Sequence, residues 1–192
     1  MKGYPGSGKT SIARCLSELM HIPLIDKDDA RDCLLSLQGI NIAHKVDLNM
    51  LSYEIMWRYA KTQLLCRNSV IVDCPLARKE LFQQGKNLAS QTSAAVVVVE
   101  CIAADIAVWQ SRLEARALSD SDVSRQHKPS SWADLQALIK RYNGSERWSV
   151  DGTTQIDYYI QLDTTTGKSP AEIASGIIEA LTLRGLLSQS NA

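Results

Sequence analysis

Residues 3–10 read Gly-Tyr-Pro-Gly-Ser-Gly-Lys-Thr, three glycines closing on a lysine and a hydroxyl. No other stretch limits the fold of this chain as strongly. The octapeptide fits the pattern G-x-x-x-x-G-K-[ST] at every fixed position. Glycine lets the backbone curl so that successive N–H groups converge on one point, a nest for phosphate oxygens. A helix leaving such a loop adds the positive end of its dipole. Gly3, Tyr4, Pro5, Gly6, Ser7, Gly8, Lys9, Thr10 and Ser11 are therefore candidate phosphate-binding positions. Lys9 is placed to reach the outer phosphates, and the Thr10 hydroxyl to hold Mg²⁺. A Gly-rich turn with no ligand is the competing reading. A loop of this type follows a strand, whereas only Met1 and Lys2 stand ahead of it here.

The chain of 192 residues is long enough for one domain with a sizeable core. Its 21 basic and 21 acidic residues cancel, which argues against a bulk nucleic-acid or anionic-membrane surface. Five cysteines, Cys15, Cys33, Cys66, Cys74 and Cys101, are scattered without a CxxC pair, as for reduced thiols in a cytoplasmic protein. The longest apolar run, 94–99, is the size of a strand and far short of a membrane span.

Helix and strand signals alternate along the chain. Apolar spacing predicts helices over 9–20, 29–37, 47–66, 78–91, 104–117, 132–142 and 170–187. In the helix over 47–66 the spacing points to Leu51, Ile55, Tyr59, Leu64 and Leu65 as the apolar face. Strands are predicted over 21–25, 69–72, 95–99 and 158–162. Ser131 and Ser169 are expected N-caps, with Pro170 at the first helical position. Such alternation implies an α/β fold, a doubly wound parallel sheet in a single domain covering 1–192. Ligands in such sheets bind at the carboxyl ends of strands, where Asp26, Asp73 and Asp163 stand.

Three more clusters carry chemistry. Asp26-Lys27-Asp28-Asp29-Ala30-Arg31-Asp32 places four carboxylates and two cations directly after a strand. Asp28 and Arg31, three apart, share a helix face. The same residues would also make a solvated, acid-rich helix start. Val70-Ile71-Val72-Asp73 is an apolar strand ending on a carboxylate, suited to Mg²⁺. Arg112 and Arg116 lie four apart on one helix face, suited either to spread phosphoryl charge or to surface ion pairs with Glu114 or Asp120. The polar stretch 118–131, with Arg125, is expected to close over the site as a lid, the lid region running from 112 to 131. Trp109, Trp132, Tyr142 and Trp148 are expected in the core, with Trp132 and Trp148 as alternatives for a substrate wall; His127 has no partner pattern.

The phosphate loop together with Asp28-Asp29-Ala30-Arg31 resembles the polynucleotide-kinase-like and zeta-toxin-like branch of the P-loop kinases, a group that includes AAA-type domains. Shikimate and gluconate kinases are similar in plan. The resemblance spans about 3–181. It implies a P-loop sheet of order 2-3-1-4-5, ATP and Mg²⁺ as cofactors, and transfer of the γ-phosphoryl group to a hydroxyl of a small-molecule acceptor. It implies Asp28 as catalytic base, Arg31 and Asp26 as acceptor contacts, Lys9, Arg112 and Arg116 as catalytic cations, and Thr10 with Asp73 at the metal. Asp163-Thr164-Thr165-Thr166-Gly167 would pass the adenine, with Thr165 as the contact. A polynucleotide 5′-hydroxyl kinase and a non-catalytic nucleotide-binding protein are the alternatives. The family has a hydrophobic first strand ahead of the loop, which Met1 and Lys2 are too short to supply. The expectation is of a chain shortened at its N-terminus, and any organelle-targeting segment would be lost with it.

Overall fold

The computed structural model describes residues 1–37, 46–119 and 128–187. Four short strands alternate with seven helices among them: α1 (Lys9–Met20), β1 (Leu24–Asp26), α2 (Lys27–Cys33), α3 (Leu48–Leu65), β2 (Ile71–Asp73), α4 (Lys79–Thr92), β3 (Val97–Ile102), α5 (Ile106–Ser119), α6 (Trp132–Tyr142), β4 (Tyr158–Asp163) and α7 (Pro170–Leu183). Most of the expected lid, 120–127 with Arg125 and His127, lies outside the described residues.

Local chemistry sets the helix ends. Asp26 caps α2, its carboxylate accepting from Asp28 N–H, and Asp47 caps α3. Ser131 and Ser169 each form a reciprocal capping box, with Asp134 and Glu172. Pro170 takes the first position of α7, where its missing N–H costs nothing.

The strands form two parallel pairs, β1 with β2 and β3 with β4. Between them runs the N-terminus. The Met1 amino group donates to the Val72 carbonyl at 2.6 Å. Lys2 N–H donates to Val99 and Cys101 N–H donates to Lys2, at 2.8 and 2.9 Å, a parallel bridge to Glu100. Gly3 N–H donates to Pro75 at 3.3 Å. Met1 and Lys2 thus hold the central place of the 2-3-1-4-5 order, two residues long. They are too short to form a strand, as expected, but hydrogen bonding to both neighbours places even so short a segment.

Alternation along β3 divides the core. Val98 joins Tyr53, Met56, Phe82 and Trp148 on one face, and Val99 and Cys101 join Ile12, Leu16, Ala174 and Ile177 on the other. In α3 the buried positions are Leu48, Ser52, Tyr53, Met56 and Ala60, while Tyr59 and Leu65 are each 64% exposed. The apolar face read from spacing is therefore corrected. Polar residues such as Asn49, Glu54, Arg58, Lys61 and Gln63 are spread around this helix, so spacing names no single face, and small Ser52 and Ala60 allow the closest approach. The Ser52 hydroxyl is satisfied within the helix, on Asn49 carbonyl at 2.6 Å.

Candidate active site

The phosphate loop joins the central segment to α1 at the carboxyl edge of the strands. Gly3 has φ +147°, and a Cβ there would meet the Cys101 carbonyl oxygen at 2.5 Å and the Ser7 hydroxyl at 2.7 Å. Only glycine fits. Gly8, at φ 80°, is the N-cap of α1, so the amides of the first turn open toward the loop.

Three outside elements hold the loop. Trp109 of α5 donates its indole N–H to the Pro5 carbonyl at 2.9 Å. The Tyr4 ring stands 5.7 Å from that of Trp109 and 6.2 Å from that of Tyr142, and its hydroxyl donates to Glu146 at 2.7 Å. Burial and the Glu146 carboxylate push the Tyr4 hydroxyl pKa up. Thr164, which is buried, donates its hydroxyl to the Ser7 carbonyl at 2.9 Å. Sequence reading missed both Trp109 and Thr164 in this role; it named Thr165 as an adenine contact. Thr165 instead turns to Asp163 and to the start of α5. The Thr-rich turn was legible; which threonine faces the loop was not.

Lys9 and Thr10 open α1. The Thr10 hydroxyl donates to Asp73 Oδ2 at 2.5 Å. Asp73, at the end of β2, is 1% exposed, and its Oδ1 is buried without a hydrogen-bond partner. A hydroxyl beside an orphaned carboxylate oxygen suits a hard cation that takes few protein ligands and keeps its waters, as Mg²⁺ does. Among the described residues no group of three or more His, Cys, Asp or Glu gathers as an all-protein metal cage.

A cleft of about 430 Å³ opens above the loop. Thr10, Asp26, Asp29, Asp32, Arg112, Arg116, Lys168 and Ile173 are among the residues that line it. Arg112 grips the loop after β4 with both guanidinium arms, on the Thr164 hydroxyl at 3.0 Å and carbonyl at 2.9 Å. Arg116 donates to the Pro129 carbonyl at 2.7 Å. Of the two ion-pair partners weighed for these arginines, Glu114 accepts from Gln110, and Asp120 lies outside the described residues.

Asp26 pairs in register with Asp73 on the adjacent strand. Burial first, then the Asp73 charge, raise its pKa to about 6. Lys27 is buried with its ammonium 5.3 Å from the centre of the Tyr53 ring, and burial lowers its pKa. Asp28 accepts from Lys128 at 2.8 Å and lies 3.4 Å from Lys27. Arg31, on the same helix, is buried.

Comparison with known proteins follows this geometry. Residues 1–141 match the model of the AAA domain family. Uncharacterised proteins of Mycobacterium tuberculosis and Mycobacterium bovis are 30% identical over 132 residues, 65% of this chain and 26% of theirs. The matched region is thus about a quarter of those relatives' length. Among solved structures, a proposed kinase from Chloroflexus aurantiacus superposes with TM-score 0.67 and 19% identity, covering 95% of this chain and 93% of that one. The APS kinase of Mycobacterium tuberculosis gives 0.57 and 16%, covering 94% of each chain. The shikimate kinase of Aquifex aeolicus gives 0.54 and 18%, covering 96% of each. With its loop, strand order and family match together, this chain belongs to the AAA domain family and has the fold of the P-loop kinases.

Proposed function

We propose that the protein is an ATP-dependent kinase that transfers the γ-phosphoryl group of Mg·ATP to a hydroxyl of a small-molecule acceptor. The observation that carries this reading is the Thr10–Asp73 contact at the first turn of α1, which leaves one Asp73 oxygen orphaned, next to a cleft that Thr10 lines together with Arg112, Arg116 and the carboxylates Asp26, Asp29 and Asp32.

When bound, Mg²⁺ would neutralise charge on the phosphates; Thr10 and Asp73 are the residues that would hold it. The first-turn amides of α1 and Lys9 bind the phosphates, and Lys168 with Ile173 border the nucleoside end. Asp28 takes the acceptor's proton, and Arg31 and Asp26 orient the acceptor. Arg112 and Arg116 match charge that spreads over the equatorial oxygens of the transferred group. Asp28 pairs with Lys128, which itself lines the cleft, so an acceptor competes with that lysine for the base. Zero net charge and the lack of a basic groove pattern speak for a small acceptor rather than an oligonucleotide.

The test is ATP consumption across a panel of hydroxyl metabolites and oligonucleotides, with Lys9→Ala as control. The reading expects acceptor-dependent turnover that Lys9→Ala removes and that Asp28→Ala lowers by about 10²–10⁴ while ATP still binds. ATP binding without turnover on any acceptor would favour a non-catalytic protein. Full turnover by Asp28→Ala would remove Asp28 from the role of base.

A further inference from the structure

Two lysines hold the carboxylate of Asp28. Lys128 Nζ lies 2.8 Å from Oδ2, and Lys27 Nζ lies 3.4 Å from Oδ1. The side chains of Asp28 and Lys128 are only 21% and 19% exposed, so water screens this pair little. The residue after Lys128 ties a second group of the site: the Pro129 carbonyl accepts from Arg116 at 2.7 Å. We propose that Lys128 is a positioning residue that guards the base. It occupies Asp28 while no acceptor is bound, and so keeps the γ-phosphoryl group of ATP from passing to water. This rests on the kinase reading above, with Asp28 as base.

The two lysines differ in what they can do. Lys27 is fixed: it is the first residue of α2, 4% exposed, with its ammonium 5.3 Å from the centre of the Tyr53 ring. Lys128 lines the cleft and lies ahead of α6, outside any helix or strand. It is therefore the partner that an incoming acceptor meets and can replace. Ammonium groups at this range favour the charged carboxylate and oppose its taking a proton. Oδ2 is the oxygen that exchange at Lys128 uncovers.

The reaction that such a guard suppresses is hydrolysis. In it a water oxygen bonds to the γ-phosphorus, and the bond from that phosphorus to the ADP oxygen breaks. The proton of the water goes to the base, and ADP and inorganic phosphate leave. Size cannot exclude water from a site that admits a larger hydroxyl compound. A single water, however, makes too few contacts to draw Lys128 off, because separating a pair so shielded from solvent leaves two charges uncompensated. A larger acceptor brings the contacts needed, and part of its binding energy is used to release the base. Through Pro129 the same displacement reaches Arg116, which is proposed to meet the transferred group.

The experiment measures ADP release from Mg·ATP by the full chain with no acceptor present, beside ATP affinity by calorimetry. Lys128→Met and Lys128→Ala are each expected to raise the rate at least about tenfold, since a general base contributes about 10²–10⁴, with ATP affinity unchanged. Lys128→Arg, which keeps the ion pair, is expected to hold the rate near that of the unaltered protein. Adding Asp28→Asn to Lys128→Met is expected to remove the gain. If the unaltered protein phosphorylates a member of the hydroxyl panel but neither Lys128→Met nor Lys128→Ala hydrolyses ATP faster, the guard is overturned and the kinase reading stands. A gain that survives Asp28→Asn would overturn the guard as well, because the base would not be what Lys128 holds. ATP bound by every variant, with neither hydrolysis nor acceptor turnover in any, would overturn both.

Discussion

At the scale of single residues, the site depends on groups whose chemistry comes from their neighbours. Asp26 is a surface-type residue by sequence, yet burial and Asp73 hold its pKa near 6. A carboxyl raised in the folded state binds more protons there than unfolded between about pH 4 and pH 6. In metal-free protein its contribution is therefore present at low pH and lost as pH rises through that window. Asp26→Asn should flatten the window and stabilise the protein at pH 7 by about 1–2 kcal/mol, after allowance for solvent screening. Urea unfolding from pH 4 to pH 8 measures it. Arg112 makes two directed bonds to one threonine, which a lysine cannot copy. If it also meets the transferred group, Arg112→Lys should lower kcat by about 10³ with little change in ATP affinity. Steady-state kinetics beside calorimetric ATP titration separates the two quantities.

At the scale of elements, the loop is shaped from outside itself. Its glycines permit its path, but α5 supplies the Trp109 bond to Pro5, and the loop after β4 supplies the Thr164 bond to Ser7. Trp109→Phe keeps the ring contacts with Tyr4 and Trp132 and removes only the indole N–H. The expected result is ATP binding weakened about five- to tenfold, since one lost hydrogen bond is worth about 1 kcal/mol, with Tm lowered by only a few degrees. Calorimetric titration and thermal melting read these two effects. The phosphate loop was legible from residues 3–10 because its spacing is itself the mechanism. Trp109 was not legible in this role, because an aromatic residue at helical spacing reads the same whether it fills a core or holds a loop. The face of α3 was misread for a related reason: periodicity ranks faces only when a polar side exists to contrast with.

At the scale of the whole molecule, two half-sheets are joined through the N-terminus and one buried ion pair. Lys2 pairs with Glu100, whose other oxygen accepts from Ser149 and Tyr159 at 2.6 and 2.7 Å. Burial alone would raise the Glu100 pKa, but the bonds from Lys2, Ser149 and Tyr159 outweigh it and bring the net value down. A carboxyl lowered in the folded state stabilises at neutral pH, and that stability is lost as pH falls through its folded value. Glu100→Leu would leave Lys2 buried without its partner and should cost about 3–5 kcal/mol. Adding Lys2→Met should recover much of that loss, because the uncompensated charge goes with it. Urea unfolding of the two single variants and the double variant measures the coupling.

By itself the sequence determined the phosphate loop, the α/β alternation, the helix caps and the acidic cluster after β1. All of these are local: they depend on backbone freedom, hydrogen-bonding reach along one turn, or the period of apolar residues. The tertiary structure alone decided which threonine and which tryptophan hold the loop, that Asp28 faces Lys128, that Asp26 lies against Asp73, and that Met1 and Lys2 occupy the centre of the sheet. Those outcomes depend on contacts between residues up to 157 positions apart, which no local pattern encodes.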